Sequence, residues 1–327
     1  MANAKTVLIS VPDDFPSVFE GTVAHERAKR LGEVRVVSAR GADEEGELIR
    51  RIDRARIAIN IRAHARFTEG VFAACKKLEM VSIWGTGTDN IDLDAAGRHG
   101  VTVTNTPGTN ASAVAEHTLA LMLALARRIP KIEREMREGQ WPRELLTQLL
   151  GKTVGVFGTG TIGARVIALT KAIGMKPLAW SMRGQPERIA ALGAHAASKD
   201  EILKEADVVT LHLRLVPETR GFLGRRELGS MKRTALLVNT ARGALVEREA
   251  LLDALAQGKI AGAALDVFHD EPLKPTDPLL TRDNVVLSPH NAGQTPEVIR
   301  DGLLRAVQNV EAFLTGRPTD VVVAPVK

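Results

Sequence analysis

Short runs of apolar and β-branched residues recur along this chain, separated by stretches with apolar positions at helical spacing. Toward the N-terminus the runs are Val7–Val11, Arg35–Ser38, Ile57–Ile61, Met80–Ile83 and Val101–Thr104, with helical patterns at Ser17–Leu31 and Glu44–Arg54. After a turn at Asn105-Thr-Pro-Gly108, one long helix is predicted from Ala111 to Arg128, capped by Ser112 or Asn110. Residues 129–150 are charged and amphipathic and end in the apolar Leu145–Leu150, the profile of a crossing between domains. The rhythm then resumes with Val154–Phe157, Pro177–Ser181, Val208–Leu213, Ala235–Asn239, Gly262–Val267 and Val285–Ser288, with a helix at Val246–Gln257, and a last amphipathic helix covers 296–316. Strands alternating with helices imply βαβ units and parallel sheets, so the predicted class is α/β.

One stretch carries more than fold. In Thr153-Val-Gly-Val-Phe-Gly158-Thr-Gly160-Thr-Ile-Gly163 a buried strand runs into G-x-G-x-x-G and then into a helix, Ile162 to Ile173. The first glycine suits a tight strand-to-helix turn, the second lets backbone approach a pyrophosphate, and the third lets helix and strand pack closely. The helix N-terminus offers N–H groups and a positive dipole end to the phosphates. This is the pattern of dinucleotide binding. A carboxylate about 20 residues further on normally binds the adenosine ribose. Here the next strand ends in Trp180-Ser181-Met182-Arg183, so Ser181 holds that place and the acid is missing. Ser181 can hydrogen-bond a 2′-phosphate and Arg183 can pair with it, which favours NADP over NAD.

Length and composition narrow the picture. A chain of 327 residues suggests two domains, and 44% apolar residues supply ordinary cores, built on aliphatic packing because tyrosine is absent. The net charge of +5 is dispersed among acids, without the basic block of a nucleic-acid binder, and a positive field suits small anions. Cys75 is the only cysteine, which excludes an internal disulfide, and no Cys/His cluster has the spacing of a zinc site, so no metal is expected. The N-terminus lacks a signal-peptide core, and the most apolar segment, Thr118–Ala126, is too short to span a membrane. A cytoplasmic protein with no membrane partner is expected.

Loops at strand carboxyl ends carry the candidate chemistry, because open α/β sheets bind ligands there. Arg62-Ala-His64 follows the third strand, and Gly85-Thr86-Gly87-Thr-Asp-Asn90 follows the fourth, either as a tight turn or as a backbone cradle for a small anion. In the long helix, Glu116 and His117 read as structural hydrogen-bonders rather than direct participants. Further on, Arg242 follows one strand, Asp266 with His269, Asp270 and Glu271 the next, and His290 the last. A hydroxy-acid/keto-acid redox reaction needs such groups. An arginine fork holds a carboxylate or carbonyl, a histidine exchanges the proton near neutral pH, and a neighbouring carboxylate stabilises the imidazolium. Taken singly each residue is ambiguous, since Arg242 can be a surface ion-pair residue and His269 and His290 loop histidines.

Several segments, taken in order, resemble the D-isomer-specific 2-hydroxyacid dehydrogenases, a family that includes phosphoglycerate dehydrogenases and glyoxylate/hydroxypyruvate reductases. They are Gly85-Thr-Gly-Thr-Asp-Asn-Ile-Asp-Leu, Asn105-Thr-Pro-Gly, Ala115-Glu-His-Thr, Gly151 to Gly163, Val238-Asn-Thr-Ala-Arg-Gly, Ala264-Leu-Asp-Val-Phe and Ser288-Pro-His. The resemblance implies two Rossmann-like or flavodoxin-like parallel-sheet domains with the active site in the cleft between them. A substrate domain would span 1–103 and be completed by 296–327, with a dinucleotide domain at 104–295. By position, Arg242 would bind the substrate carboxylate, His290 would be the acid/base, and Glu271 would pair with it. Asp266 would contact the nicotinamide end of the cofactor. Gly158, Gly160, Thr161, Ile162 and Gly163 would surround the pyrophosphate, with Ser181 and Arg183 at the ribose and Thr86, Leu213, Thr240 and Ala241 along the remaining path. Arg62, Gly85, Thr86 and Gly87 would join Arg242 in holding the substrate, a small 2-oxo or D-2-hydroxy acid such as glyoxylate, hydroxypyruvate or 3-phosphoglycerate. A homodimer, joined partly through the helix after Asn110, is implied as well.

This chain also departs from the family pattern. Ser181 replaces the common acid, Thr161 replaces a frequent basic residue of the loop, and His290-Asn-Ala-Gly-Gln-Thr differs from the usual glycine- or alanine-rich sequence. The sequence stops at Lys327, so the regulatory extension of longer phosphoglycerate dehydrogenases is not expected. A dinucleotide-responsive corepressor on the same scaffold is the alternative function.

Overall fold

The computed structural model describes residues 7–61 and 64–325. The chain divides into two compact units, 1–110 together with 294–327, and 111–293. Strands are numbered in chain order: β1 (Leu8–Val11), β2 (Glu33–Val36), β3 (Ile57–Asn60), β4 (Met80–Ile83), β5 (Thr102–Thr104), β6 (Thr153–Phe157), β7 (Lys176–Trp180), β8 (His195–Ala196), β9 (Val208–Leu211), β10 (Leu236–Asn239), β11 (Gly262–Leu265), β12 (Val285–Leu287) and β13 (Val321–Val323).

The first unit holds a six-stranded sheet in the order β13-β5-β4-β3-β1-β2. It is parallel except for β13, which runs antiparallel to β5 with Val321 opposite Thr104. Its central strands β3 and β4 are buried along their whole length, as strands covered on both faces must be. The closing helix Pro296–Leu314 belongs to this unit and buries Leu303, Ala306, Val307 and Val310. Its buried Asn309 donates from Nδ2 to the Asn105 carbonyl (2.9 Å) and accepts at Oδ1 from Thr319 (2.8 Å), so no polar atom of that side chain is stranded.

The second unit is a seven-stranded, wholly parallel sheet in the order β12-β11-β10-β9-β6-β7-β8. Strand order reverses at β6, so the glycine-rich loop leaves the sheet at its topological switch point. Alternating side chains of β6 feed two cores. Val154 and Val156 pack with Met122, Val208 and Val238 on one face, while Phe157 packs with Leu211, Leu237 and Leu255 on the other.

Several expected elements are adjusted. The helix expected over Ser17–Leu31 forms only at Val23–Lys29, because the Asp14 carboxylate takes the N–H groups of Val18, Phe19 and Glu20 and Thr22 supplies the cap. The long helix runs Ala111–Ala126 and stops before Arg128, whose φ of 50° is left-handed. Neither expected cap forms. Ser112 lies inside the helix and accepts from Arg165 Nε (3.1 Å), and Asn110 Oδ1 is buried with no hydrogen-bond partner among the described residues. Residues 129–150 yield one helix, Ile129–Arg137, and then irregular chain. The strands β8 and β13 were not expected. β8 has two residues, too few for a periodic signal, and β13 is an edge strand placed by its pairing with β5. Cys75 is buried in the first core, where burial raises its thiol pKa. No helix among the described residues is long and apolar enough to cross a membrane.

Candidate active site

The glycine-rich loop has the geometry of a phosphate cradle. Gly158 has φ of +102°, and a Cβ there would lie 2.4 Å from the His212 carbonyl oxygen. A Cβ on Gly163 would lie 1.9 Å from the Gly158 carbonyl oxygen, so helix and strand meet backbone to backbone. Gly160 is different. Its φ of −68° suits any residue, and a Cβ would meet nothing within 4 Å. Neither conformation nor packing requires glycine at 160, and the space beside its backbone is open. The helix Thr161–Ala172 starts at Gly160 without a side-chain cap, leaving its first N–H groups to a ligand. Thr161 is exposed, Ile162 is half-buried, and Leu213 lies buried beside Gly158. These residues fit a dinucleotide pyrophosphate.

At the end of β7, Ser181 Oγ accepts the Arg183 N–H at 3.3 Å, and Arg183 is exposed. Sequence reasoning missed a second cation here. Arg188, on the short helix Pro186–Ala191, donates from Nη2 to the Thr159 carbonyl of the glycine loop at 3.3 Å. Its position seven residues past Ser181 carried no recognisable signal, because the loop between them sets where the helix begins.

The chemistry-bearing loops follow β10, β11 and β12, which are neighbours in the sheet. The Arg242 loop is braced by Asn239, whose Nδ2 donates to the Arg242 carbonyl (2.8 Å) and whose Oδ1 accepts the Ala241 N–H (3.0 Å). Arg242 Nη1 donates to the Ala241 carbonyl at 2.8 Å. A Cβ on Gly243 would lie 2.1 Å from the Phe268 carbonyl carbon, so glycine lets the β10 loop press against the β11 loop. Thr240, 8% exposed, hydrogen-bonds Thr118 through its hydroxyl at 2.8 Å.

The two histidines separate clearly. His269 Nε2 lies 2.7 Å from the Val246 carbonyl, a structural bond. His290 Nδ1 lies 2.6 Å from Glu271 Oε2, and both side chains are about one-third exposed at 37% and 35%. Glu271 Oε1 accepts the Phe268 N–H at 2.9 Å. Burial pushes the Glu271 pKa up, but the His290 hydrogen bond and charge, the Phe268 N–H and the Arg242 charge outweigh it and hold it below the usual value. The pair is therefore an anionic carboxylate orienting an imidazole whose Nε2 edge is left for chemistry. Asp266 lies elsewhere than at an open face. It is fully buried, accepting the Ser288 hydroxyl and the N–H groups of Asn291 (3.0 Å) and Ala292 (3.1 Å). Its carboxylate is thus turned to the loop that carries His290.

In the first unit, Gly85 has φ of +129° and donates its N–H to Thr106 Oγ1 at 2.7 Å, while Thr86 gives its carbonyl to Asn105 Nδ2 at 2.9 Å. The loop shape is therefore set by the Asn105-Thr106 turn. Gly87 follows the bend formed by Trp84–Thr86. Arg62 lies outside the described residues. Two positions later in the sequence, His64 Nε2 sits 2.8 Å from the buried Asp13 carboxylate, a pair that sequence spacing did not reveal.

Residues 119–292 match the model for the D-isomer specific 2-hydroxyacid dehydrogenase, NAD binding domain. A glyoxylate reductase of Aeropyrum pernix is 44% identical over 250 residues, covering 74% of this chain and 75% of that one. A D-3-phosphoglycerate dehydrogenase of Methanocaldococcus jannaschii is 38% identical over 298 residues, covering 90% of this chain but 56% of that longer protein. The crystal structure of D-lactate dehydrogenase from Aquifex aeolicus, complexed with NAD and lactic acid, superposes with a TM-score of 0.84 at 31% identity, covering 98% of this chain and 100% of that one. The fold, the phosphate cradle and these similarities agree, and the chain belongs to the D-isomer-specific 2-hydroxyacid dehydrogenases, oxidoreductases that act on a CH–OH group with NAD or NADP.

Proposed function

We propose that this dehydrogenase interconverts a small 2-oxo acid and its D-2-hydroxy acid, with glyoxylate and hydroxypyruvate as the first substrates to try. The observation that carries the reading is the His290–Glu271 pair at 2.6 Å beside the Arg242 loop. The unit 111–293 holds the nucleotide, and the unit 1–110 with 294–327 recognises the acid. When bound, the reduced nicotinamide supplies the hydride. His290, anchored through Nδ1, gives a proton from Nε2 to the carbonyl oxygen and takes it back in the reverse direction. Glu271 stays ionised and stabilises the imidazolium. Arg242 forks onto the substrate carboxylate and polarises the carbonyl. In the loop at Gly85–Gly87, Gly85 spends its own N–H on Thr106 Oγ1, and the N–H groups of Thr86 and Gly87 are the ones offered to the same substrate.

NADP is the preferred nucleotide. Ser181 in place of an acid, with Arg183 in the turn after β7 and Arg188 on the helix beyond it, supports this choice. The enzyme works as a homodimer in the cytoplasm. Support for the dimer is an apolar arm left uncovered in the single chain. The helix Ile129–Arg137 buries none of its residues, and Trp141, Leu145 and Leu150 are 74%, 103% and 64% exposed. A lone, buried thiol without a disulfide suits a reducing compartment.

The test is a spectrophotometric assay of the purified protein, following NADPH and NADH oxidation separately with glyoxylate, hydroxypyruvate, pyruvate and phenylpyruvate. Turnover with glyoxylate or hydroxypyruvate and a preference for NADPH are expected. Turnover restricted to phenylpyruvate would refute the small-acid reading, and a preference for NADH would refute the role given to Ser181, Arg183 and Arg188.

A further inference from the structure

The helix Ala111–Ala126 sets two adjacent side chains, His117 and Thr118, against the loops after β12 and β10. Thr118 gives its proton to the Val114 carbonyl (2.7 Å), so Thr240 is the donor in the hydroxyl pair that joins the helix to the Arg242 loop. His117 reaches the other loop, with Nε2 2.8 Å from Ser288 Oγ and 3.5 Å from Asp266 Oδ1. Asp266 in turn gathers residues on both sides of His290, through the Ser288 hydroxyl before it and the Asn291 and Ala292 N–H groups after it. His290 itself sits at a left-handed φ of 53°, a conformation a non-glycine residue keeps only where its surroundings over-determine it.

The protons in this chain of contacts follow from valence. Ser288 has one hydroxyl proton, and the buried Asp266 carboxylate is a stronger acceptor than the Asn291 amide oxygen 2.8 Å away. With that proton committed, His117 Nε2 must carry the hydrogen and donate to Ser288 Oγ. We propose that His117 is a positioning residue of this enzyme. Its Nε2–H, acting through Ser288, keeps the Asp266-anchored loop in the one arrangement that aligns His290 between Glu271 and the substrate oxygen. The inference rests on the reading of His290 as the acid/base. His117 acts through the loop and takes no proton from the substrate.

The test compares His117→Ala, His117→Gln and His290→Ala with the wild type. Each is assayed for kcat and KM with the best 2-oxo acid, for nucleotide Kd by fluorescence, for the isotope effect on kcat with nicotinamide deuterated at C4, and for melting temperature. His117→Ala should lower kcat by about 10- to 100-fold while KM and nucleotide Kd stay within about threefold, because misplacement of an acid/base group costs rate rather than affinity. The isotope effect should rise as chemistry becomes more rate-limiting. His117→Gln, which restores an N–H donor, should recover most of kcat. The role is overturned if His117→Ala keeps wild-type kcat, or if His117→Gln is as slow as His117→Ala. If His117→Ala does not fold, Ser288→Ala removes the same link and should show the same kcat loss, and wild-type kcat in that variant overturns the role. Turnover that survives His290→Ala would sink the acid/base reading and this inference with it. A dead His290→Ala beside a fully active His117→Ala would remove the positioning role alone.

Discussion

Single residues divide the work at the candidate site. His290→Ala should abolish turnover while nucleotide Kd stays nearly unchanged, because His290 lies beyond the glycine cradle in sequence and in its bonding. A folded variant that no longer binds nucleotide would contradict that division. Arg242→Ala should act mainly through KM for the acid, and an unchanged substrate response would count against the carboxylate fork. Glu271→Gln should cut kcat by about 10- to 100-fold, the cost of losing the charge that stabilises the imidazolium. The Glu271 pKa is held below its usual 4.5, so it stays ionised on the acid side of neutrality, and the stability its pairing contributes is lost only as pH falls through that lowered value. His212 makes a separate pH prediction. Burial pushes its imidazole from 6.5 down to about 3, and its Nδ1 is buried without a hydrogen-bond partner among the described residues. The unfolded chain therefore takes up a proton below 6.5 that the folded chain refuses, and stability should fall as pH drops from 6.5 toward 3. Urea midpoints measured across that window should flatten in His212→Asn, and an identical pH slope would argue against an imidazole held neutral by the fold.

At the scale of elements, the strand–loop–helix unit of β6 separates structural from functional glycines. Gly163→Ala forces a Cβ into the Gly158 carbonyl and should lower the melting temperature or prevent folding. Gly160→Ala meets open space, so it should fold as stably as the wild type yet bind nucleotide more weakly by about 1 kcal/mol or more, read by titration calorimetry. Equal nucleotide affinity in Gly160→Ala would show that the open side of this loop is not where the phosphates lie. The helix Ala111–Ala126 works at the same scale. By holding Thr240 and Ser288 from adjacent residues, it fixes the Arg242 and His290 loops against one another. The G-x-G-x-x-G spacing and the strand before it were legible in the sequence. The reach of His117 to Ser288 was not, since 171 residues separate them and only the packing of the helix across the sheet brings them together.

For the whole molecule, the uncovered arm at 129–150 makes the assembly testable. Trp141→Glu together with Leu145→Glu should leave a folded monomer by sedimentation if the arm joins two chains, because two charges would be buried without partners in the interface. A dimer of wild-type strength would place the interface elsewhere. The two units also show why the edge strands were missed. β13 belongs to the first sheet although it lies more than 200 residues after β5, and its short valine run becomes a strand only through that pairing.

The sequence by itself determined the α/β class, the positions of 11 of the 13 strands among the described residues to within a few residues, and the strand–glycine loop–helix unit at 153–172. These are local matters: apolar runs, helical period and glycine spacing act over a few neighbours and leave their pattern in the chain. Tertiary structure alone decided where Asp266 spends its charge and which helix reaches the His290 loop. Those outcomes depend on the order of strands in a sheet and on the packing of a helix across it, which join residues that no spacing along the chain connects.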